Sequence, residues 1–349
     1  AYRTHNPADI REAVAEYPTS RAEDALAAVA AAEKAAPGWA DATAVARGRV
    51  LSKASQLLEA RKAELAELLT REEGKTLAES TGEVQRAADI FRFYGGLSYT
   101  IGGRTIPHDL PGNLLYTTRR PLGVVALITP WNFPIAIPAW KLAPALVTGN
   151  AVVLKPAGIA PALSLELARV LHEAGLPKGV LNVIVGEGRA VGGAIVTHKS
   201  VAALSFTGSY AVGNAIYQQL AQRMARAQME MGGKNPTLVL ADGDLDLAAT
   251  LVARAGFGLT GQACTATSRV IVEKPVLAAF TEKLVARARA WKVGPGHAQG
   301  VEMGAVVSET QLKGNLEWVK AAVDGGAQLL CGGNRLSSGD FAHGWFMEP

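Results

Sequence analysis

Two cysteines among 349 residues, Cys264 and Cys331, are too few for a disulfide framework. There is no C-x-x-C or H-E-x-x-H spacing, and the six histidines are scattered at 5, 108, 172, 198, 297 and 343, so no metal centre is expected. Unpaired thiols fit a reducing compartment, and a cytoplasmic location is expected. A large excess of one charge sign is lacking as well. The net charge of +4 is spread without a concentrated basic run, which excludes the usual footprint of a nucleic-acid binder. Long hydrophobic runs are also lacking. The opening residues Ala1-Tyr2-Arg3-Thr4-His5-Asn6-Pro7 hold no apolar signal core, so no secretion signal is expected there. One uncharged run, Gly123 to Trp140, approaches spanning length, but Pro130, Pro134, Pro138 and Asn132 break it, and it reads as a buried strand and a loop.

Glycine, by contrast, is plentiful at 37 residues, and the length allows about two domains with a sizeable core. The first hundred or so residues are alanine-rich and helical in pattern. A capping box at Ser20-Arg21-Ala22-Glu23 opens a helix expected to end at Pro37-Gly38. A second helix is expected from Val45 to Glu73, closed by Gly74, and a third from Leu77 to Tyr94, closed by Gly95-Gly96. Arg104 to Arg120, rich in proline and glycine, reads as a hairpin-like excursion. Apolar runs at Val124–Ile128, Ala151–Leu154, Val180–Val185 and Ala202–Phe206 then alternate with helical segments. That alternation predicts an α/β fold with a doubly wound parallel sheet, in which ligands bind at the carboxyl ends of the strands. From about Lys234 a second block follows, with strands at Thr237–Leu240 and Val270–Glu273 and helices from Asp244 to about Thr260, a long buried one, and from Pro275 to Trp291.

Four stretches stand where such a fold places chemistry. Thr129-Pro130-Trp131-Asn132-Phe133-Pro134 holds an asparagine between prolines, either a donor aimed at a developing oxyanion or an ordinary turn. Phe206-Thr207-Gly208-Ser209-Tyr210-Ala211-Val212-Gly213 offers backbone amides to a phosphate at a helix start, although the spacing matches neither G-x-G-x-x-G nor a phosphate loop. Glu230 stands in apolar company beside Gly232-Gly233, where partial burial would raise its pKa and make it a general base; a solvated surface glutamate is the plainer reading. Cys264, in Gly261-Gln262-Ala263-Cys264-Thr265-Ala266-Thr267-Ser268-Arg269, is either a nucleophile at a helix-to-strand junction or a small buried hydrophobe.

Taken in order, Pro130-Trp131-Asn132-Phe133-Pro134, Lys155-Pro156-Ala157, Phe206-Thr207-Gly208-Ser209 with Gly213, Glu230-Met231-Gly232-Gly233-Lys234-Asn235-Pro236 and Gly261-Gln262-Ala263-Cys264-Thr265 closely resemble the aldehyde dehydrogenase superfamily, and the resemblance covers essentially the whole chain. It implies that Cys264 attacks an aldehyde, that Asn132 and the Cys264 N–H hold the oxyanion, and that Glu230 activates water against the resulting thioester. Lys141 matches a lysine associated with proton relay; a structural ion pair is its alternative. The cofactor, NADP or NAD, would contact Thr129, Pro130, Trp131, Lys155, Ala157, Gly158, Phe206, Thr207, Gly208, Ser209, Gly213, Met231 and Gly232. Gly158 stands where NAD-preferring members often carry a glutamate that repels a 2′-phosphate, so NADP is expected to be accepted.

The same resemblance implies a dinucleotide-binding domain of 1–103 and 121–232, an oligomerisation hairpin at 104–120 and an incomplete α/β catalytic domain at 233–349. It further implies a chain shortened at both ends, lacking the family's usual first strands and stopping at Pro349 before the Glu-x-Phe-Gly-Pro segment, with a homodimer or homotetramer formed at full length. A small acidic semialdehyde is the expected substrate, by likeness of the Cys264–Arg269 run to enzymes oxidising 2-oxoglutarate semialdehyde. The alternatives are a nucleotide-binding fragment without turnover and a cysteine-dependent esterase. No membrane or nucleic-acid partner is expected. Cys331, without such company, reads as structural.

Overall fold

In the computed structural model, which describes residues 1–349, the chain opens with strands β1 (Tyr2–Asn6) and β2 (Asp9–Tyr17) and helices α1 (Ala22–Asp41), α2 (Ala44–Ala60), α3 (Lys62–Glu73) and α4 (Leu77–Leu97). A short pair, β3 (Thr105–Ile106) and β4 (Leu115–Tyr116), precedes β5 (Val124–Ile128), α5 (Ala136–Val147), β6 (Ala151–Lys155), α6 (Ala162–Glu173), β7 (Leu181–Val183), α7 (Gly193–Thr197), β8 (Val201–Gly208), α8 (Tyr210–Ala221) and β9 (Arg226–Met231). The remainder is β10 (Asn235–Val239), α9 (Leu245–Phe257), β11 (Thr267–Val272), α10 (Leu277–Ala290), α11 (Glu309–Asp324), β12 (Arg335–Leu336) and β13 (Phe346–Met347). By contacts the chain divides into one unit of Pro18–Lys62 and Glu83–Glu230 and another of Ala1–Tyr17, Ala63–Gly82 and Met231–Pro349.

The first unit is built on a five-stranded sheet in the order β7-β6-β5-β8-β9. β5 pairs in parallel with β6 and β8, and β6 with β7. Every residue of β6 and the first four of β5 are buried, the continuous apolar run that a sheet covered on both faces requires. Helices close around it by bonding the carbonyls at the end of α5: Trp39 Nε1 donates to Leu146 O at 2.9 Å and Arg47 Nε to Val147 O at 2.8 Å. Two expected helix ends fall inside helices. Pro37 lies within α1, which runs on to Asp41, and Gly95 and Gly96 lie within α4. Gly95 permits close packing instead, since a Cβ there would come within 2.4 Å of Ser52 Oγ on α2. The expected second helix is two, α2 and α3, parted at Arg61. The capping box sits one residue later than expected, with the Arg21 N–H donating to Asp24 Oδ2 at 2.8 Å.

The second unit holds the largest departure, because residues 2–17, expected to be part of a helical stretch without strands, form an antiparallel β1–β2 hairpin. Buried Glu72 explains why these residues join this unit rather than the dinucleotide-binding domain expected for 1–103. It accepts from Thr4 Oγ1 at 3.0 Å and Tyr17 OH at 2.7 Å, and its charge adds to burial in raising the Tyr17 phenol. Ala8 packs against Ala305 and Phe346. Strands β10 and β11 pair in parallel, and Val239, Ala249, Val252 and Phe280 form a core between them and helices α9 and α10. The expected long buried helix is α9, of 13 residues, with Leu247 and Leu251 exposed.

Candidate active site

Three loops leave the carboxyl ends of β5, β6 and β8, on both sides of the strand where the sheet order reverses. That crevice is where an open α/β sheet takes a nucleotide. The loop after β5 carries Thr129, Pro130, Trp131 and Asn132. Its far end is fixed by Glu83, whose Oε1 accepts from the Ile135 and Ala136 N–H groups at 3.1 Å each at the start of α5, and by Ser164 Oγ, which donates to Pro134 O at 2.9 Å. Thr129 Oγ1 is buried with no hydrogen-bond partner. Lys155 ends β6 with its ammonium buried, donating to Pro156 O at 3.1 Å, and burial pushes its pKa down. Ala157 and Gly158 follow it, half-buried. Phe206, Thr207 and Gly208 end β8; a side chain on Gly208 would strike the Phe206 ring at 2.5 Å. Ser209 caps α8, its Oγ accepting weakly from the Val212 N–H at 3.5 Å, and Gly213 is buried in the first turn.

On the same unit, Lys141 projects from α5 into a polar chain that the sequence did not reveal in full. Its Nζ donates to Ser205 Oγ at 2.6 Å and to Gln228 Oε1 at 3.2 Å; Ser205 Oγ also donates to Gln228 Oε1, and Gln228 Nε2 donates to Glu230 Oε1 at 2.9 Å. Burial pushes the Lys141 pKa down to about 8, against the opposing charge of Glu230. Lys141 and Glu230 were expected; Ser205 and Gln228 were not. Alternation along β9 puts Gln228 and Glu230 on one face, the one signal that would have joined them. Glu230 is exposed, which corrects the expected partial burial: β9 is an edge strand and covers one face only.

Cys264 belongs to the other unit, on the turn between α9 and β11, and is exposed rather than buried. Asn235 holds that turn, its Nδ2 donating to Cys264 O at 2.9 Å and Ala266 O at 3.3 Å. The turn is entered through three residues of positive φ, Leu259, Thr260 and Gly261. Met231 ends β9 and Gly232 opens the connection to β10. Cys331 is half-buried.

All 349 residues, 1–349, match the profile of the aldehyde dehydrogenase family. The chain belongs to that family. This aldehyde dehydrogenase is 46% identical over 350 residues to the 2,5-dioxopentanoate dehydrogenase of Saccharolobus solfataricus, covering 100% of the chain and 72% of the relative. It is 49% identical over 344 residues to the alpha-ketoglutarate semialdehyde dehydrogenase of Haloferax volcanii, covering 99% and 71%. Among solved structures it superposes with a TM-score of 0.97 and 33% identity on the betaine aldehyde dehydrogenase of Staphylococcus aureus in complex with NAD+, over 100% of this chain and 69% of that one. PnpE in complex with nicotinamide adenine dinucleotide gives 0.96 and 36%, over 100% and 71%. The enzyme's loops at β5, β6 and β8, with the partnerless Thr129 hydroxyl and the twelve-residue helix α8 opening at Ser209, fit a dinucleotide. No helix is long and apolar enough to cross a membrane.

Proposed function

We propose that this aldehyde dehydrogenase oxidises a small acidic semialdehyde, 2-oxoglutarate semialdehyde before others, with Cys264 as nucleophile. The exposed thiol on a turn held by Asn235 carries the reading, because a nucleophile must be reachable and fixed at once. The Cys264 thiol gives its proton to water as its sulfur bonds the aldehyde carbon, and the carbonyl electron pair moves to oxygen, where the Asn132 side chain and the Cys264 N–H receive it. NAD(P)+, when bound, would supply the hydride acceptor that lets the adduct carbon become a thioester. Glu230 then removes a proton from water, the new hydroxyl adds to the carbonyl, and the thiolate leaves with release of the carboxylate. Lys141, at about 8, exchanges protons near neutral pH and passes the one Glu230 gains. Lys155 would hold the adenosine ribose, Ser209 and Trp131 the pyrophosphate, and Thr207 and Gly208 the nicotinamide end, with Thr129, Pro130, Ala157, Gly158, Phe206, Gly213, Met231 and Gly232 lining the cofactor site. Gly158 leaves a 2′-phosphate unopposed, so NADP+ is used as well as NAD+.

The relatives named for 2,5-dioxopentanoate and alpha-ketoglutarate semialdehyde support the substrate class. The enzyme works in the reducing cytoplasm and assembles as a homodimer or homotetramer through the 104–120 hairpin, where Leu110, Leu114 and Tyr116 are exposed. A panel of acidic semialdehydes, betaine aldehyde and simple aliphatic aldehydes with each cofactor tests the reading. The expected result is the highest kcat/KM for an acidic semialdehyde and loss of at least about 10⁴-fold in Cys264→Ser. A tenfold advantage for betaine aldehyde would overturn the substrate, and turnover by Cys264→Ser the nucleophile.

A further inference from the structure

The backbone just before Cys264 is left-handed for three consecutive residues: Leu259 at φ 54, ψ 26, Thr260 at φ 56, ψ 32, and Gly261 at φ 68. Left-handed conformation is ordinarily adopted by single glycines, and a β-branched residue such as Thr260 is among the least suited to it. Such strain persists only where the surroundings over-determine it. Leu259 and Thr260, the two non-glycine residues of this turn, are so held. The Leu259 N–H donates to Glu79 Oε1 at 2.8 Å, on the first turn of α4. The other oxygen of the same carboxylate, Oε2, accepts from the Thr76 N–H at 2.9 Å and Thr76 Oγ1 at 2.8 Å, so the side chain has no freedom to swing away. Thr260, buried, donates from Oγ1 to Gly304 O at 3.2 Å. The Gln262 N–H returns to Leu259 O at 2.9 Å, and Gln262 Oε1 accepts from the Val307 N–H at 3.0 Å.

We infer that this left-handed turn is the device that aims Cys264, and that Glu79 is its positioning residue, acting through the Leu259 N–H without touching substrate. The inference rests on Cys264 as the nucleophile. Of the groups holding the turn, Glu79 is the only one that bears charge, and its bond fixes the first left-handed residue, from which the direction of the next five follows. Removing that acceptor lets Leu259 relax to negative φ and turns the thiol out of line. A glycine at 259 has no such preference and keeps the turn without the acceptor.

The test uses Glu79→Ala, Glu79→Gln, Glu79→Ala/Leu259→Gly and Gly261→Ala in the full chain, reading kcat, KM and the iodoacetamide labelling rate of Cys264 relative to Cys331 by mass spectrometry. Expected for Glu79→Ala is a kcat lower by about 10- to 100-fold with KM within about twofold, and a labelling ratio changed at least about fivefold. Glu79→Gln keeps one oxygen for the Leu259 N–H and gives up the acceptor for the Thr76 N–H, so both readings stay nearer the parent than in Glu79→Ala, within about threefold of it. The double variant recovers most of the lost kcat and the parental labelling ratio. Gly261→Ala, which forces a Cβ onto the left-handed position, changes the ratio even where Glu79→Ala does not fold. A parental ratio in Glu79→Ala or Gly261→Ala, or a loss that neither glutamine spares nor glycine at 259 restores, would overturn the inference. Activity surviving in Cys264→Ser would instead remove the nucleophile, while the labelling ratio still reports whether Glu79 sets the turn.

Discussion

Lys141 and Cys264 are held in place by opposite means. The lysine grows from a buried helix laid on a regular parallel sheet and is fixed by side chains, Ser205 and Gln228, on β8 and β9. The cysteine stands in solvent on a turn whose backbone is strained, and its turn is hydrogen-bonded through main-chain groups: the Leu259 N–H donates to Glu79, and Asn235 donates to the Cys264 carbonyl. Regular structure supplies a low, dry site that tunes a proton affinity; strain supplies direction. A group that must titrate benefits from the first, and a group that must strike along a line from the second.

Three measurements press on that contrast. Glu230→Gln keeps the length of the side chain and removes the proposed base, so steady-state turnover is expected to fall about 10²- to 10³-fold while one equivalent of reduced cofactor per Cys264 still forms in a rapid burst. Loss of the burst together with turnover would mean that Glu230 serves the thiol's attack instead. Leu154→Ala, at a fully buried site in β6, lowers stability by about 2–5 kcal/mol in urea titration, whereas Leu238→Ala, 65% exposed in β10, changes it by no more than about 0.5 kcal/mol. Equal effects would erase the distinction between the covered sheet and the two-stranded pair. Lys141→Met probes burial by pH. The ammonium titrates at about 8 in the fold and at 10.5 when exposed, so between those values the unfolded chain holds more protons and the parent's stability rises with pH. The full penalty of burying the charge is present below about 8. The stability of the variant relative to the parent is therefore highest below pH 8 and declines towards pH 10.5, by on the order of 3 kcal/mol; a flat difference would mean that Lys141 is not desolvated.

How legible each region was follows from the same contrast. Strands β5, β6 and β8 were visible as short apolar runs because burial on both faces leaves little room for polar residues. The loops at their ends carried Asn132, Lys155 and Ser209 within a few positions of those runs. The strands of residues 2–17 were hidden because alanine and charge dominate them, and their anchor, Glu72, lies 55 residues beyond Tyr17. Glu79 was hidden more deeply: its partner Leu259 is 180 residues away, and a leucine before Thr-Gly gives no hint of a left-handed backbone. Gln228 was passed over because a glutamine on an exposed strand looks like a solvated side chain. Burial of Glu230 was inferred from apolar neighbours, but in an edge strand those neighbours occupy the opposite face.

Arg47 has a consequence of another kind. Its guanidinium donates to Val147 O, 100 residues onward, and on its own side of the chain to the carbonyls of Trp39, Ala40 and Ala42. Four carbonyls at two helix ends thus share one cation: three lie five to eight residues from it, and Val147 O is reached only when the intervening hundred residues have come round. The α1–α2 junction can therefore hold the guanidinium before the close of α5 docks on it, across a long loop whose closure costs entropy. A lysine at 47, without the planar fork, would serve fewer of those carbonyls and loosen the tie between the two helix ends.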